Sequence, residues 1–218
     1  LILGLLALFF IFFTNDILFK IGLSIILAFS IYELFKIKTK KNIFFWLIFL
    51  MILINIYLIF PIANNLGRNF FFTALLISVL TDIFALVFGK LLGKNYIYPS
   101  ISPNKTLEGT LSGLMIPGTI FLLLGYLFIE FKIIGTDIFY EFLVIVPLID
   151  SLGYAKTFLI IVISSLASVI GDLLASKSKR LAGIKDFGNL LPGHGGILDR
   201  IDSHIFCIPV FLAFFSLI

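Results

Sequence analysis

Apolar runs long enough to cross a membrane recur along the whole chain, and they constrain its fold more than any other feature. An α-helix needs about 20 mostly apolar residues to span the hydrocarbon core. Windows of that kind run over residues 17–36, 43–61, 70–90, 107–131 and 154–175. Shorter apolar stretches stand at 1–13 and 203–218. The pattern predicts an all-α fold, a polytopic integral membrane helical bundle.

The composition excludes a water-soluble enzyme, a disordered tail and a disulfide scaffold. Hydrophobic residues make up 61% of the 218 residues and charged residues 13%, whereas soluble domains carry about 25% charged residues. A single soluble core of this size could not bury so much apolar surface. The one cysteine, Cys207, rules out an intrachain disulfide and a CxxC metal site. We therefore expect residues 1–218 to form one transmembrane domain.

Two stretches need separate interpretation before the spans can be counted. Segment 1–13 has no basic stretch before it and no A-x-A cleavage site after it, which favours a truncated span over a signal peptide. Leu1 stands where Met is expected, so we expect N-terminal residues to be missing. Segment 138–149 contains Glu141 and Pro147 and is too short to cross, so we interpret it as re-entrant or interfacial. The prediction is about seven spans.

The basic residues fix the predicted orientation, because cytoplasmic loops are enriched in Lys and Arg. If the loops at 37–42, 91–106 and 176–202 face the cytoplasm, that side carries 12 of the 16 basic residues. This bias holds only if segment 138–149 does not cross the membrane. The basic residues of that side are Lys36, Lys38, Lys40, Lys41, Lys90, Lys94, Lys105, Lys177, Lys179, Arg180, Lys185 and Arg200.

Ionisable residues in or beside spans are costly and therefore informative, and they concentrate in two clusters on the predicted cytoplasmic side. The upstream cluster is residues 82–109. Asp82 lies within an apolar helix, so we expect it to face the bundle interior or a wet cavity. Gly89 and Gly93 form a small-xxx-small pair that favours close helix packing.

The end of the upstream cluster leads into the next helix through Ser102-Pro-Asn-Lys-Thr-Leu-Glu-Gly109. Ser102 or Thr106 could cap that helix, with Glu108 in its first turn. The same helix start with Lys105 would equally form an anion site. The spacing leaves the cap and the phosphate site as equal alternatives.

The downstream cluster, residues 172–202, carries the stronger signal. Asp172 and Ser176 are four residues apart and share a helix face, while Asp199 and Asp202 are one turn apart if their segment is helical. A basic loop touching anionic lipid is the simpler alternative. It leaves unexplained the Pro-Gly-His-Gly-Gly run at 192–196, whose backbone could approach a ligand closely.

Carboxylates alternating with Lys and Arg suit a magnesium–nucleotide site. Carboxylate oxygens bind the metal, and cationic side chains neutralise phosphates. This chemistry favours catalysis over a lipid-binding loop. We interpret His194 as a substrate contact and His204, at the edge of the last apolar stretch, as structural.

At this level of detail the downstream cluster resembles the signature of phosphatidate cytidylyltransferases, also called CDP-diacylglycerol synthases. Ser178 is the one departure, since the family usually has an apolar residue there, and it bears on helix packing more than on chemistry. The upstream cluster fits the family's second motif through Asp82, Ser102, Pro103, Lys105, Thr106, Glu108 and Gly109. The signature positions in register are Ser176, Lys179, Arg180, Lys185, Asp186, Gly188, Leu191, Pro192, His194, Gly195, Gly196, Ile197, Asp199, Arg200, Ile201 and Asp202.

The resemblance implies transfer of CMP from CTP to phosphatidic acid, giving CDP-diacylglycerol and pyrophosphate, with Mg²⁺ required and a second cation left open. It implies metal ligands at Asp172, Asp199 and Asp202. Phosphate contacts would come from Lys179, Arg180, Lys185 and Arg200, with Ser176 as a metal or phosphate ligand and Asp186 beside them. Ser102, Lys105 and Thr106 would close the site from the upstream cluster, near Asp82. His194, Gly195 and Gly196 would shape the nucleotide pocket.

We expect a prokaryotic cytoplasmic membrane, an active site on the side that the basic residues mark as cytoplasmic, membrane-lipid partners and no nucleic-acid partner. The resemblance also implies a homodimer. One alternative is a related enzyme acting on another lipid phosphate, such as an isoprenoid ether lipid, because lipid tails touch only apolar side chains. A transporter is a second alternative, since Asp82 and glycine-interrupted helices also suit an ion pathway. The one-sided placement of the ionisable residues argues against it. A catalytically silent scaffold fits poorly with a near-complete signature.

Overall fold

The computed structural model of the protein describes residues 14–37, 42–62, 65–131, 144–191, 193 and 195–215. These residues form helices joined by loops, as the sequence predicts. In chain order the helices are α1 (Asp16–Lys36), α2 (Ile43–Ile62), α3 (Asn65–Leu92), α4 (Leu107–Phe131), α5 (Ile145–Leu152), α6 (Tyr154–Leu181), α7 (Leu198–Ile201) and α8 (His204–Phe215).

Four of these helices are long and apolar enough to cross a membrane: α1, α4, α6 and the part of α3 from Arg68 to Leu92. The protein is therefore a helical membrane protein. The predicted spans at 43–61 and 203–218 coincide with α2 and α8, which carry shorter apolar stretches over Ile43–Leu58 and His204–Phe214. The predicted span at 1–13 lies outside the described residues.

The two predicted clusters lie at one end of the bundle. The loop before α4 contacts the last turns of α6, where the guanidinium of Arg180 donates to the carbonyl of Ile101 at 3.4 Å. Since α4 begins and α6 ends there, the end of α4 at Phe131 and the start of α6 at Tyr154 lie at the opposite side. Helix α5 has eight residues, about 12 Å of rise, and cannot cross. This agrees with the non-crossing interpretation for the described part of 138–149.

Two hydrophobic clusters hold the bundle together. One joins α1, α3, α4, α5, α6 and α8 through side chains such as Phe19, Phe121 and Phe211. The other lies nearer the polar end, where Leu34 of α1 and Phe45 of α2 pack in the same cluster as Phe187 and Leu198. The downstream cluster is thus anchored by its own apolar residues on the first two helices.

Glycines let α3 and α4 approach closely, as the small-xxx-small pattern predicts. A Cβ added at Gly93 would lie 2.6 Å from the Thr106 methyl group. One added at Gly109 would lie 2.7 Å from the Cα of Gly89 and would also meet the carbonyl of Ala85. Backbone surrounds Gly109 and cannot move aside as a flexible side chain could. The close approach positions the loop that carries Lys105.

Gly109→Ala should therefore destabilise the protein, because the added methyl group forces α3 and α4 apart. Overpacking of this kind costs about 1–3 kcal/mol. Thermal unfolding in detergent measures the effect, with Leu111→Ala, at an exposed position on the same helix, as the control. An unfolding temperature for Gly109→Ala equal to that of the wild type would contradict the packing.

Candidate active site

The last turns of α6 place the first predicted site residues on one helix face. The hydroxyl of Ser176 donates to the Asp172 carboxylate at 3.4 Å, which confirms that the two share a face. Lys179 follows one turn further and is buried, whereas Arg180 points to the exposed side. The buried Ser178 takes the apolar position of the family pattern, and its backbone carbonyl accepts from the N–H of Ala182 as the helix ends.

Lys105 joins the upstream cluster to the downstream one. Its ammonium nitrogen lies 2.5 Å from the Asp172 carboxylate, and both side chains are less than one-third exposed. This ion pair links residues 67 positions apart in sequence, one from the loop before α4 and one from α6. The structure therefore brings together the two clusters that the sequence predicts to form one site.

Lys179 holds the two acidic residues of the segment that follows. Its ammonium nitrogen lies 2.9 Å from Asp199 and 3.7 Å from Asp202, and it sits 5.0 Å from the centre of the Phe187 ring. All three charged side chains are at most 11% exposed. A buried cation between two carboxylates fixes their separation more firmly than a surface ion pair would.

Asp199 also organises the glycine-rich loop. One carboxylate oxygen bonds to Lys179, and the other accepts the backbone N–H groups of Phe187 at 2.8 Å and Gly196 at 2.9 Å. Gly195 adopts a left-handed φ of 83°. Its carbonyl accepts a hydrogen bond from the N–H of Leu191 at 2.9 Å. The loop is folded around the Asp199 carboxylate.

The start of α4 resolves one alternative that the sequence leaves open. The Thr106 hydroxyl accepts from the N–H of Gly109 at 3.2 Å, so Thr106 caps the helix. Glu108 turns back and accepts from the backbone N–H groups of Lys94 and Asn95, which ties down the start of the same loop. Lys105, in the same loop, contacts Asp172. Ser102, three residues earlier, is half-buried.

A buried polar network supports the site from within the bundle. The Ser203 hydroxyl donates to the Asp82 carboxylate at 3.0 Å, so Asp82 faces the bundle interior as predicted. The imidazole Nδ1 of His204 lies 2.7 Å from the hydroxyl of Ser78, which itself bonds to Ser168 at 2.7 Å. His204 therefore has a hydrogen-bonding role in helix packing, in agreement with its structural interpretation.

The remaining predicted residues lie at the exposed rim. Lys185, Asp186 and Arg200 are exposed, and Asp186 lies beside Gly195, where a Cβ would approach it to 3.4 Å. Within the described part of the chain Lys185 makes no ion pair. An open cleft of about 400 Å³ lies next to them and is lined by Lys36, Ile37, Ala182, Ile184, Asp186, Phe187, Gly188 and Asn189. His194 lies outside the described residues.

The acidic residues are close enough to repel one another. Burial and the negative charge of Asp172 raise the pKa of the Asp202 carboxyl, and the positive charge of Lys179 opposes both. Asp172 also repels Asp82. Among the described residues no three Asp, Glu, His or Cys side chains are grouped closely enough to hold a metal ion. The donors are nevertheless the hard oxygens that Mg²⁺ takes, and a divalent cation would relieve their repulsion.

Sequence reasoning missed Glu33, the one buried carboxylate of α1 among the described residues. Its two oxygens accept the backbone N–H groups of Ile197 at 3.0 Å and Leu198 at 2.8 Å. The signal was available, because Glu33 is an acidic residue inside an apolar window. The cluster pattern does not select Glu33, because it stands alone in sequence, far from either cluster.

Lys179→Met should strongly destabilise the protein, because it leaves Asp199 and Asp202 buried without their cation. Breaking a buried ion pair from one side costs about 3–5 kcal/mol. Lys90→Met, at an exposed position in the last turn of α3, is the control, and both variants are compared by thermal unfolding in detergent. Equal stability of the two variants would show that Lys179 does not hold the carboxylates.

Comparison with known sequences finds relatives named phosphatidate cytidylyltransferase. Phosphatidate cytidylyltransferase from Staphylococcus saprophyticus is 39% identical over 144 residues, covering 66% of this chain and 48% of that protein. The enzyme of the same name from Staphylococcus haemolyticus is 36% identical over 154 residues, covering 71% and 52%. That from Staphylococcus aureus is 38% identical with the same coverage. The chain thus spans about half the length of the curated relatives it matches.

The family comparison covers most of the chain and both clusters. A sequence model described as the Cytidylyltransferase family matches residues 44–218, from the start of α2 through the downstream cluster. The matched part includes both residues of the Lys105–Asp172 pair and both residues of the Lys179–Asp199 pair. The chain therefore belongs to the cytidylyltransferase family.

Proposed function

We propose that this protein is a phosphatidate cytidylyltransferase, which transfers CMP from CTP to phosphatidic acid and yields CDP-diacylglycerol and pyrophosphate. The observation that carries the proposal is the ion pair of Lys105 with Asp172, at the same end of the bundle as the ion pair of Lys179 with Asp199. This arrangement supports a site in which cations would bind phosphates and carboxylate oxygens would bind a metal at one end of the bundle. The names of the relatives favour phosphatidic acid over an isoprenoid ether lipid and over transport.

The reaction joins two phosphates and needs no nucleophile from the protein. A phosphate oxygen of phosphatidic acid attacks the α-phosphorus of CTP, a new P–O bond forms, and the bond to the β-phosphate oxygen breaks to release pyrophosphate. The lipid phosphate is already anionic near neutral pH, so no general base is required. Catalysis of this kind depends on alignment and on charge neutralisation.

In this mechanism Lys105 and Lys179 exchange carboxylate contacts for phosphate contacts when substrates bind. Both ammonium groups lie at carboxylates in the described arrangement, and phosphate oxygens offer the same charge-assisted hydrogen bonds. The exposed Arg180, Lys185 and Arg200 are placed to meet phosphates at the rim. Ser176 assists on the Asp172 face, and Ser102 and Thr106 keep Lys105 in position.

Asp172, Asp199 and Asp202 are the residues that would hold Mg²⁺. Lysines pair with all three carboxylates, and Asp199 also accepts from the loop backbone. Bound Mg²⁺ would supply neutralisation of the triphosphate charge. Asp82, whose charge acts on Asp172, adds negative charge that favours a cation, and a second cation stays an expectation from the family resemblance.

The proposed setting is the cytoplasmic membrane of a prokaryote, with about seven spans and the site facing the cytoplasm. The basic residues at the polar end support this orientation, as does the arrival of CTP from the cytosol. The lipid headgroup would lie at the same interface, beside the cleft that contains Asp186. His194, Gly195 and Gly196 would border the nucleotide. We keep the homodimer as an expectation from family resemblance.

The detergent-purified chain should convert phosphatidic acid and CTP into CDP-diacylglycerol when Mg²⁺ is present. Lipid extracts analysed by mass spectrometry measure the product. Product should disappear with EDTA and should not form with ATP in place of CTP. An isoprenoid ether lipid phosphate in a parallel reaction distinguishes the two lipid classes.

Asp172→Asn should lower this activity by at least about 100-fold, because it removes a metal ligand and the partner of Lys105. Glu130→Gln, an exposed carboxylate at the other end of α4, is the matched control and should retain activity. Thermal unfolding shows whether each variant is folded. Wild-type turnover in a folded Asp172→Asn variant would remove Asp172 from the site.

A further inference from the structure

The carboxylate of Glu33 is buried against the segment that carries the acidic site residues. Glu33 lies near the end of α1 and is 1% exposed. One oxygen accepts the N–H of Ile197 at 3.0 Å, and the other accepts the N–H of Leu198 at 2.8 Å. These donors stand immediately before Asp199. The contact connects residues more than 160 positions apart.

Those N–H groups belong to the start of α7, a single turn whose preceding residue provides no side-chain cap. Free N–H groups at a helix start must find an acceptor when buried. Glu33 satisfies two of them with one side chain from another helix. The turn that carries Asp199 and leads to Asp202 is therefore oriented by α1.

Glycines on both sides of the carboxylate fit this arrangement. A Cβ added at Gly196 would lie 2.5 Å from one Glu33 oxygen and 2.7 Å from the other. One added at Gly188 would lie 2.7 Å from the carboxyl carbon. The backbone at Gly188 and at Gly196 thus packs directly against Glu33. The N–H of Gly196 also donates to Asp199. Glu33 and Asp199 hold the same loop from opposite sides.

We infer that Glu33 is a positioning residue, which fixes the backbone at Ile197 and Leu198 and thereby the carboxylates of Asp199 and Asp202. It acts through backbone hydrogen bonds and does not touch the substrates. It lies upstream of residues 44–218, the part that the family model matches. The inference rests on the proposed function for its catalytic consequence and on geometry alone for the anchoring.

Glu33→Gln is the test, because an amide is nearly isosteric but offers only one oxygen. Whichever way the amide turns, one N–H faces an NH₂ group and loses its acceptor. Loss of a hydrogen bond to a charged group corresponds to about 10- to 100-fold faster local opening. Hydrogen exchange by mass spectrometry on the detergent-purified full chain measures this in the peptide containing Ile197 and Leu198. Glu130→Gln is the matched control.

A positioning role also changes the kinetics in a specific way. Loss of a residue that orients metal ligands costs about 10- to 100-fold in activity or metal affinity. Glu33→Gln should lower kcat and raise the Mg²⁺ concentration needed for half-maximal activity, while Glu130→Gln leaves both unchanged. If Glu33 merely supported folding, the folded molecules of Glu33→Gln would reach half-maximal activity at the same Mg²⁺ concentration as the wild type.

The outcomes separate this inference from the proposed function. Faster exchange confined to residues 187–202 supports the anchoring even if the wild type makes no CDP-diacylglycerol, a result that would overturn the proposed function alone. Wild-type exchange in Glu33→Gln overturns the anchoring even if the enzyme is active. If Glu33→Gln unfolds, Gly188→Ala displaces the same carboxylate from the loop side. Local loss of protection then supports the inference, and unchanged protection contradicts it.

Discussion

The buried ammonium group of Lys179 is the interaction on which the polar end of this molecule depends. It lies within 4 Å of both Asp199 and Asp202, and Asp199 in turn gathers the backbone of the glycine-rich loop. Buried carboxylates so close together need a compensating cation. Lys105 supplies a second cation at Asp172 from another loop. Each lysine thus keeps in place, within an apolar bundle, the charges that the proposed chemistry requires.

Much of this arrangement can be predicted from the sequence, because its causes are local. Windows 107–131 and 154–175 lie within α4 and α6, since lipid requires backbone groups to be satisfied within each helix. The shared face of Asp172 and Ser176 follows from helical spacing. The convergence of both clusters follows from the distribution of basic residues between the two ends of the bundle.

Other features depend on contacts between distant segments and have no local signal. Spacing could not decide between a cap and a phosphate site at Thr106, because the free N–H groups of the same helix start suit either a side-chain cap or an anion. It could not pair Lys105 with Asp172 rather than with a nearer acid. Glu33 is the clearest case, since its partners are backbone N–H groups that no side-chain pattern marks. The loop is held by α1, which a reading of the motifs alone leaves out.

The lysines that pair with carboxylates in this structure are the groups proposed to bind CTP. Binding of radiolabelled CTP to the purified chain in Mg²⁺, measured by equilibrium dialysis, tests this proposal directly with Lys105→Met. Loss of one charge-assisted hydrogen bond predicts about 10- to 100-fold weaker CTP binding. Lys156→Met, exposed at the opposite end of the bundle, should bind CTP as the wild type does. An unchanged CTP affinity in a folded Lys105→Met variant would contradict the account.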